Sequence, residues 1–316
     1  MKNVVSRFAP SPTGRLHLGH AYSALLAQDF ARSRDGALLL RIEDIDPGRA
    51  RSAYVDAIIE DLLWLGIEFD EEIVYQSERL PLYAAALDRL KRRRLVYPCF
   101  CTRAAVAAEI AASAAAPHTG PGSGAGGPDR PVYPGTCRAL SEDEAEERRQ
   151  SEPHAWRLDM VAALDLFPSE GRGPATASDF IPGHGEAALT WWDNGREIPA
   201  EPLLFGDVVL ARKDAPTSYH LAVTVDDADQ GITDVVRGRD LFAATHIHRL
   251  LQALLGLPTP HYHHHALLTD AAGRRLAKRH GAPTLGDLRA AGADPARLAE
   301  DLLAGRLPAG YSAAEP

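Results

Sequence analysis

The chain has 316 residues, of which 45% are hydrophobic and 24% are charged; this ordinary globular composition excludes a wholly disordered, collagen-like or coiled-coil protein. Its 34 basic and 43 acidic residues give a net charge of −9, so a nucleic acid would have to bind through a local basic face. The sequence has no apolar run long enough for a membrane span, no signal-peptide core and too few cysteines, at three, for a disulfide scaffold; we therefore expect a cytoplasmic protein without membrane contacts.

The first hundred residues alternate between strand and helix patterns. Short apolar runs predict strands at residues 4–9, 37–42 and 73–75. Apolar residues at helical spacing predict helices at residues 19–34, 54–65 and 82–90. This alternation predicts an α/β fold, in which helices cover a parallel sheet.

The rest of the chain is less regular. Residues 104–116 are rich in alanine, and the Gly- and Pro-rich residues 117–130 predict a mobile surface loop. The remaining patterns predict a charged helix at residues 141–150, strands at 156–158, 207–211 and 218–225, and a helix at 241–254. The histidine-rich residues 261–265 precede an apolar run, which favours a strand over a second metal site because alternate side chains of a strand point to opposite faces.

Residues 10–20, between the first strand and the first helix, read Pro-Ser-Pro-Thr-Gly-Arg-Leu-His-Leu-Gly-His. At this position in an α/β sheet, a helix N-terminus offers N–H groups and a positive dipole to phosphates. Gly14 and Gly19 allow a sharp turn and close approach to a ligand, and His17 and His20 can donate to phosphate oxygens. The two commonest phosphate-loop motifs are absent. The alternative is a Pro/Gly turn with two incidental histidines.

The segment His17-Leu18-Gly19-His20 resembles the HIGH signature of class I aminoacyl-tRNA synthetases. Arg7-Phe8-Ala9-Pro10-Ser11-Pro12-Thr13-Gly14 resembles the glutamyl and glutaminyl branch of that family. The segment Arg41–Asp46 is similar to the branch's strand-end motif. Two segments, Ser218–Asp227 and Val236–Gly238, are similar to its amino-acid pocket. The segment Arg275–Arg279 lies at the position of its KMSKS loop. These matches follow the family's order and imply a Rossmann-like catalytic domain.

The KMSKS resemblance is imperfect. Arg275 stands at the first lysine position, Ala277 and Arg279 replace serines, and Lys278 keeps the central cation. Taken alone, this basic run would be a solvated surface. The resemblance implies that ATP binds at His17, Gly19, His20 and Lys278, with Mg²⁺ on its phosphates. It also implies that His17, His20 and Lys278 are catalytic, because they would stabilise phosphoryl charge.

The resemblance further implies L-glutamate as the amino acid. A substrate with two carboxylates needs a guanidinium group, since arginine presents a planar fork to a carboxylate. Glu43 would bind the α-ammonium and Tyr219 would supply a hydroxyl, although each alone also fits a solvated strand end or a core aromatic. The expected glutamate site consists of Arg7, Phe8, Ala9, Pro10, Ser11, Glu43, Tyr219 and Arg237.

Cys99, Cys101 and Cys137 are the three cysteines of the chain. Structural zinc takes four ligands in a tetrahedron, so three thiolates leave one position open. The resemblance implies Tyr133 as the fourth ligand of one structural Zn²⁺, and His118 is an alternative. Buried free cysteines are the other explanation for this pattern.

The length suggests about two domains, or one large domain with an inserted module. The expected organisation is a first catalytic half (1–98), an inserted zinc-binding module of acceptor type (99–205), a second catalytic half (206–260), and the KMSKS-like loop with a short helical segment (261–316).

Only 38 residues follow Lys278, fewer than the ~50 residues of a small domain, so we expect no anticodon-binding domain. In this respect the chain resembles a truncated paralogue of the glutamyl branch. That resemblance implies an enzyme that activates glutamate with ATP without RNA and then transfers it to queuosine in the anticodon loop of tRNA(Asp). We expect a monomer, although no sequence feature sets the oligomeric state. Two alternatives stay open, namely a minimal synthetase that charges the 3′ end of tRNA(Glu) and a non-catalytic RNA-binding paralogue.

Overall fold

The computed structural model of the chain describes residues 4–102, 104–107, 132–167, 189–270, 273–274, 276, 283–308 and 310–314. The strands are β1 (Val5–Phe8), β2 (Ala37–Ile42), β3 (Val74–Tyr75), β4 (Val96–Cys99), β5 (Ala155–Leu158), β6 (Thr190–Asp193), β7 (Arg196–Pro199), β8 (Val209–Ala211), β9 (Asp234–Gly238), β10 (His261–His265), β11 (Leu267–Asp270) and β12 (Tyr311–Ala314). The helices are α1 (Leu18–Arg32), α2 (Ser52–Trp64), α3 (Leu80–Arg92), α4 (Glu142–Ser151), α5 (Met160–Leu164), α6 (Tyr219–Asp229), α7 (Phe242–Leu255), α8 (Leu285–Ala290) and α9 (Pro295–Leu303).

Two sets of parallel strands meet at the centre of the molecule. One set has the order β3–β2–β1, and the other has the order β9–β10–β6 with β7 added antiparallel at its edge. They join at β1 and β9, because the Thr233 amide donates to the Val5 carbonyl at 2.9 Å and the Val5 amide donates to Thr233 Oγ1 at 2.9 Å. The parallel sheet with covering helices that the sequence predicts is therefore confirmed.

Strand β2 separates two hydrophobic cores. Leu38 and Leu40 pack into the core that contains α1 and α2, whereas Leu39 belongs to the core that contains α3 and α7. A parallel strand that is covered on both faces has a continuous apolar run, which is why the sequence of this strand shows no polar alternation. The exception is Arg41, whose side chain is fully buried.

A separate antiparallel sheet has the order β4–β5–β8. Strand pairing crosses the domain boundary that the sequence predicts at residue 206. Strand β8 lies after this boundary and pairs with β5, which lies before it. Strand β6 lies before the boundary and pairs with β10, which lies after it. The four sequence ranges stay a prediction about domain organisation. No helix in the described ranges is long and apolar enough to cross a bilayer.

The strand predicted at residues 218–225 is wrong, because this segment begins α6. Ser218 is the N-cap of the helix, and its Oγ accepts a hydrogen bond from the Leu221 amide. Leu221, Ala222 and Val223 are all buried, so the helix lacks the polar face that gives a recognisable helical period. The loop predicted at residues 117–130 lies outside the described residues.

Candidate active site

A cleft of about 350 Å³ opens at the carboxyl ends of β1, β2 and β9, beside the N-terminus of α1. This is where α/β sheets bind ligands. The structure brings together here every residue expected to bind glutamate or ATP, apart from Lys278. The lining includes Arg7, Phe8, Ala9, Pro10, Ser11, His17, Gly19, His20, Glu43, Tyr219 and Arg237.

The two histidines form the start of α1. His17 is the N-cap, and its Nδ1 accepts from the Gly19 amide at 3.1 Å. His20 Nδ1 accepts from the His17 amide, also at 3.1 Å. Because each Nδ1 is an acceptor, the proton of each neutral ring is on Nε2, which can donate to an anion. A Cβ at position 19 would lie 3.0 Å from the His17 ring, so this geometry favours glycine there.

Two arginines share one carboxylate beneath the cleft. Arg7 Nε donates to Asp227 Oδ1 at 3.0 Å, and Arg41 Nη1 donates to the same oxygen at 2.9 Å. Burial opposes the charge on Asp227, but Arg7 and Arg41 hold the pKa of its carboxyl below the ordinary value. Asp227 therefore fixes the guanidinium of Arg7 at the wall of the cleft.

Glu43 supplies the cleft with a carboxylate. Its side chain is 8% exposed, and its amide donates to the Pro10 carbonyl at 3.0 Å. Burial raises the pKa of Glu43 to about 6, against the opposing effect of Arg41 and Arg7. The group is thus mostly ionised at neutral pH and suits an ammonium ligand.

Tyr219 and Arg237 form the opposite wall. Arg237 Nη1 donates to the Tyr219 hydroxyl at 3.3 Å. Burial raises the pKa of Tyr219, so its hydroxyl keeps its proton at neutral pH. The lining therefore includes the guanidinium groups of Arg7 and Arg237 and the carboxylate of Glu43, which match the two carboxylates and the ammonium of an acidic amino acid.

Lys278 lies outside the described residues, as do Arg275, Ala277 and Arg279. The described residues on either side of it are at the cleft. Leu276 lines the cleft, and Thr284 forms a β-bridge with His17. The role of Lys278 stays a prediction.

A second cavity of about 350 Å³ adjoins the first. Ser11, Thr13, Glu43 and Tyr219 line both cavities. The second cavity also has a polar wall that includes Asp46, Arg49, Gln76, Arg212, Ser218 and His220. The family-like segments Arg41–Asp46 and Ser218–Asp227 supply part of this lining, whereas no sequence signal indicated Gln76 and Arg212.

The three cysteines converge at the edge of the antiparallel sheet. The Cys101 and Cys137 sulfurs are 3.4 Å apart, and the Tyr133 hydroxyl lies 3.5 Å from Cys99 Sγ and 3.6 Å from Cys101 Sγ. Zinc–sulfur bonds of about 2.3 Å place tetrahedral ligands roughly 3.8 Å apart. Burial raises the pKa of the Cys101 thiol to about 11. The donor set and its spacing fit a tetrahedral cation that would favour the thiolates, whereas His118 lies outside the described residues.

Comparison with known proteins agrees with this geometry. Residues 3–172 and 181–306 match the catalytic domain of class I tRNA synthetases (E and Q). The crystal structure of the glutamate–tRNA synthetase from Elizabethkingia anophelis superposes with a TM-score of 0.68 at 26% identity. It matches 89% of this chain, which spans 53% of that protein. A glutamate tRNA ligase from Elizabethkingia meningosepticum, solved with its amino acid, gives a TM-score of 0.67 at 27% identity, again over 53% of its length.

The fold and the cleft thus define a catalytic domain of the class I tRNA synthetases. The glutamyl-Q tRNA(Asp) synthetase of Rhodobacter capsulatus is 48% identical over 93% of this chain and 98% of its own. The enzyme of the same name from Deinococcus radiodurans is 42% identical over 95% of this chain and 88% of its own. The chain belongs to the glutamyl-Q tRNA(Asp) synthetase family.

Proposed function

We propose that the protein activates L-glutamate with ATP in the absence of RNA and transfers the glutamyl group to queuosine in tRNA(Asp). The observation that carries this proposal is the convergence of Arg7, Arg237 and Glu43 beside the histidines of α1. The names of the R. capsulatus and D. radiodurans relatives support the choice of acceptor.

The first step is formation of glutamyl-adenylate. The α-carboxylate of glutamate attacks the α-phosphorus of ATP in line, and pyrophosphate leaves. Arg7 and Arg237 bind the substrate carboxylates, while Glu43 binds the ammonium. His17, His20 and Lys278 stabilise charge on the phosphates, and Mg²⁺ would neutralise the phosphate oxygens when bound.

The second step is transfer to RNA. A hydroxyl of the cyclopentene diol of queuosine attacks the carbonyl of the mixed anhydride, forming an ester and releasing AMP and a proton. The second cavity lies beside the glutamate site and shares Glu43 and Tyr219 with it. We assign it to the accepting nucleoside, because an acceptor hydroxyl must reach the activated carbonyl and the polar wall offers hydrogen-bond donors and acceptors to a hydroxylated base.

We further propose that Cys99, Cys101, Tyr133 and Cys137 hold one structural zinc ion. The Cys137 amide donates to the Tyr133 hydroxyl oxygen at 2.9 Å, and the Arg157 guanidinium lies 3.8 Å from the centre of the Tyr133 ring. Burial raises the pKa of Tyr133 against the effect of the Cys137 amide, so the phenol keeps its proton until a bound cation displaces it. Such an ion would fix the β4 end and the segment at residues 133–139 to each other.

Transfer of labelled glutamate to three purified RNAs tests the proposed function. The RNAs are tRNA(Asp) with queuosine, tRNA(Asp) with guanosine at that position, and tRNA(Glu). We expect label only on the queuosine form. Label on tRNA(Glu) would instead support a conventional synthetase, and pyrophosphate exchange without any labelled RNA would overturn the assigned acceptor. No exchange at all would support a non-catalytic RNA-binding protein.

A further inference from the structure

Arg237 is held from behind by a chain of hydrogen bonds that begins outside the cleft. Its Nε donates to His264 Nε2 at 3.1 Å, and His264 Nδ1 lies 2.8 Å from Asp193 Oδ1. All three residues are at most 6% exposed. They belong to the neighbouring strands β9, β10 and β6, so the contacts run across the sheet from the β6–β7 hairpin to the cleft.

The partners determine which nitrogen of His264 carries the proton. A guanidinium group can only donate, so His264 Nε2 must accept and Nδ1 must carry the hydrogen that Asp193 receives. Burial lowers the pKa of His264 to about 4, in spite of the hydrogen bond to Asp193. The ring is therefore neutral at neutral pH, with Asp193 selecting the tautomer that can bind Arg237.

The remaining contacts fix the rotation of the guanidinium. Nη2 of Arg237 donates to Thr245 Oγ1 at 2.6 Å and to the Leu241 carbonyl at 3.1 Å. Nε and Nη2 both donate hydrogen bonds to buried groups. Nη1 is therefore directed towards Tyr219, which lines the cleft. An arginine without these contacts could rotate and would lose the fixed orientation that recognition of a carboxylate requires.

We propose that Asp193 and His264 are positioning residues, which hold the Arg237 guanidinium in the orientation that binds a carboxylate of the substrate. The identity of that substrate as glutamate rests on the proposed function. Asp193 is suited to this role because it can only accept. An amide at this position could donate to Nδ1 and favour the tautomer that directs an N–H against Arg237.

Two substitutions of His264 separate positioning from packing. Glutamine can place an amide oxygen near the position of Nε2, within reach of Arg237, whereas the shorter asparagine reaches only the position of Nδ1, beside Asp193. Both remove the imidazole ring. In glutamate-dependent pyrophosphate exchange, we expect His264→Asn to raise the KM for glutamate about 10-fold with the KM for ATP unchanged, as loss of a charged hydrogen bond predicts. His264→Gln should restore most of this loss.

His246→Gln is the matched control. His246 also packs against Trp191, but its Nδ1 accepts from the Glu201 amide and not from Arg237. This variant should lower the melting temperature while leaving the KM for glutamate unchanged. Equal KM values for His264→Asn and His264→Gln, or a parallel rise in the KM for ATP, would overturn the proposal. If His264→Asn does not fold, Asp193→Asn takes its place, with a rise in the KM for glutamate expected.

The NMR signal of the Arg237 Nε–H proton provides a readout that does not depend on catalysis. In ¹⁵N-labelled protein, this proton should exchange slowly with water, keep that protection in His264→Gln and lose it in His264→Asn. A protein that shows this pattern of proton protection but no glutamate-dependent pyrophosphate exchange would contradict the proposed function alone. If the protein catalyses glutamate-dependent pyrophosphate exchange but His264→Asn and His264→Gln show the same protection of the Arg237 Nε–H proton, the positioning role alone would be contradicted.

Discussion

Arg7 and Asp227 lie 220 positions apart in the chain and meet through hydrogen bonds of 3.0 and 3.5 Å. Their side chains are 5% and 7% exposed, and Arg41 binds the same carboxylate. This carboxylate therefore compensates two buried cations and orients one of them towards the cleft.

Asp227→Ala should destabilise the protein strongly, because it leaves two buried guanidinium groups without this carboxylate. Removal of one partner from a buried ion pair costs about 3–5 kcal/mol, which a urea unfolding curve measures. Arg306→Ala, which disrupts exposed pairs with Glu300 and Asp301, is the control and should change stability little. An unchanged midpoint for Asp227→Ala would show that the two arginines find other partners.

The affinity for glutamate should fall in mild acid. Ionised Glu43 is the form that binds an ammonium, so its protonation as the pH falls through about 6 should raise the KM for glutamate. Pyrophosphate exchange at limiting glutamate, measured between about pH 5 and pH 8, gives this profile. Glu43→Gln should have a KM at least about 10-fold higher that no longer follows this titration. A wild-type profile that is flat through this range would exclude Glu43 from ammonium binding.

The same substitution should stabilise the folded state at neutral pH. The pKa of Glu43 is raised on folding from its ordinary value of 4.5. Its contribution to stability is therefore fully present below pH 4.5 and is lost as the pH rises through about 6. Thermal unfolding at neutral pH should show a higher melting temperature for Glu43→Gln than for the wild type, and a lower one would mean that the ionised carboxylate is needed to hold Arg41.

Zinc removal should loosen the cysteine cluster. Elemental analysis should find one zinc ion per chain, and a strong chelator should lower the melting temperature. Tyr133→Phe should weaken zinc binding about 10-fold or more, because it removes a ligand but keeps the ring, whereas Tyr311→Phe in β12 should have no effect. Full zinc affinity in Tyr133→Phe would point to a different fourth ligand.

Lys278→Ala should slow adenylate formation far more than it weakens glutamate binding. Loss of a charge that stabilises a phosphoryl transition state costs about 100-fold in rate, and pyrophosphate exchange at saturating substrates measures it. Arg274→Ala is the matched control, because Arg274 is an exposed cation that pairs with Asp270. An exchange rate for Lys278→Ala equal to that of the control would remove Lys278 from the reaction.

Arg212 should affect transfer to RNA and not activation. It lines the second cavity and binds Asp46 Oδ2 at 3.1 Å, but it does not line the glutamate cleft. We expect Arg212→Ala to reduce transfer to queuosine-containing tRNA(Asp) about 10-fold while pyrophosphate exchange stays near the wild-type rate. Arg212→Lys should recover part of the transfer. A parallel loss of exchange would place Arg212 in the activation site instead.

The sequence predicted the local elements of the sheet well because their signals are local. The apolar run of β2 lies within one strand, and the helical spacing of α3 lies within a few turns of one helix. The failure at α6 has the same origin, since a helix buried on most sides and rich in β-branched residues has the local pattern of a buried strand.

The same distinction between local and long-range signals separates the site residues that the sequence predicted from those that it did not. Family motifs indicated Arg7, Glu43, Tyr219 and Arg237, although no local pattern could show that four such distant residues meet. The relation of Asp193 to His264 was missed, because the two residues are 71 positions apart and the histidine run at residues 261–265 indicated only a strand or a metal site. Their relation exists only once β6 has paired with β10.

That pairing also limits how the chain can be divided. A segment inserted into a catalytic domain is commonly regarded as a unit that evolution or an engineer could shorten or replace. Here the β6–β7 hairpin, at the end of the segment predicted to be such an insert, supplies an edge of the sheet that contains β9 and β10. Any chimaera or deletion designed on the predicted insert must therefore retain residues 190–199, or the remaining chain loses a strand of its own sheet.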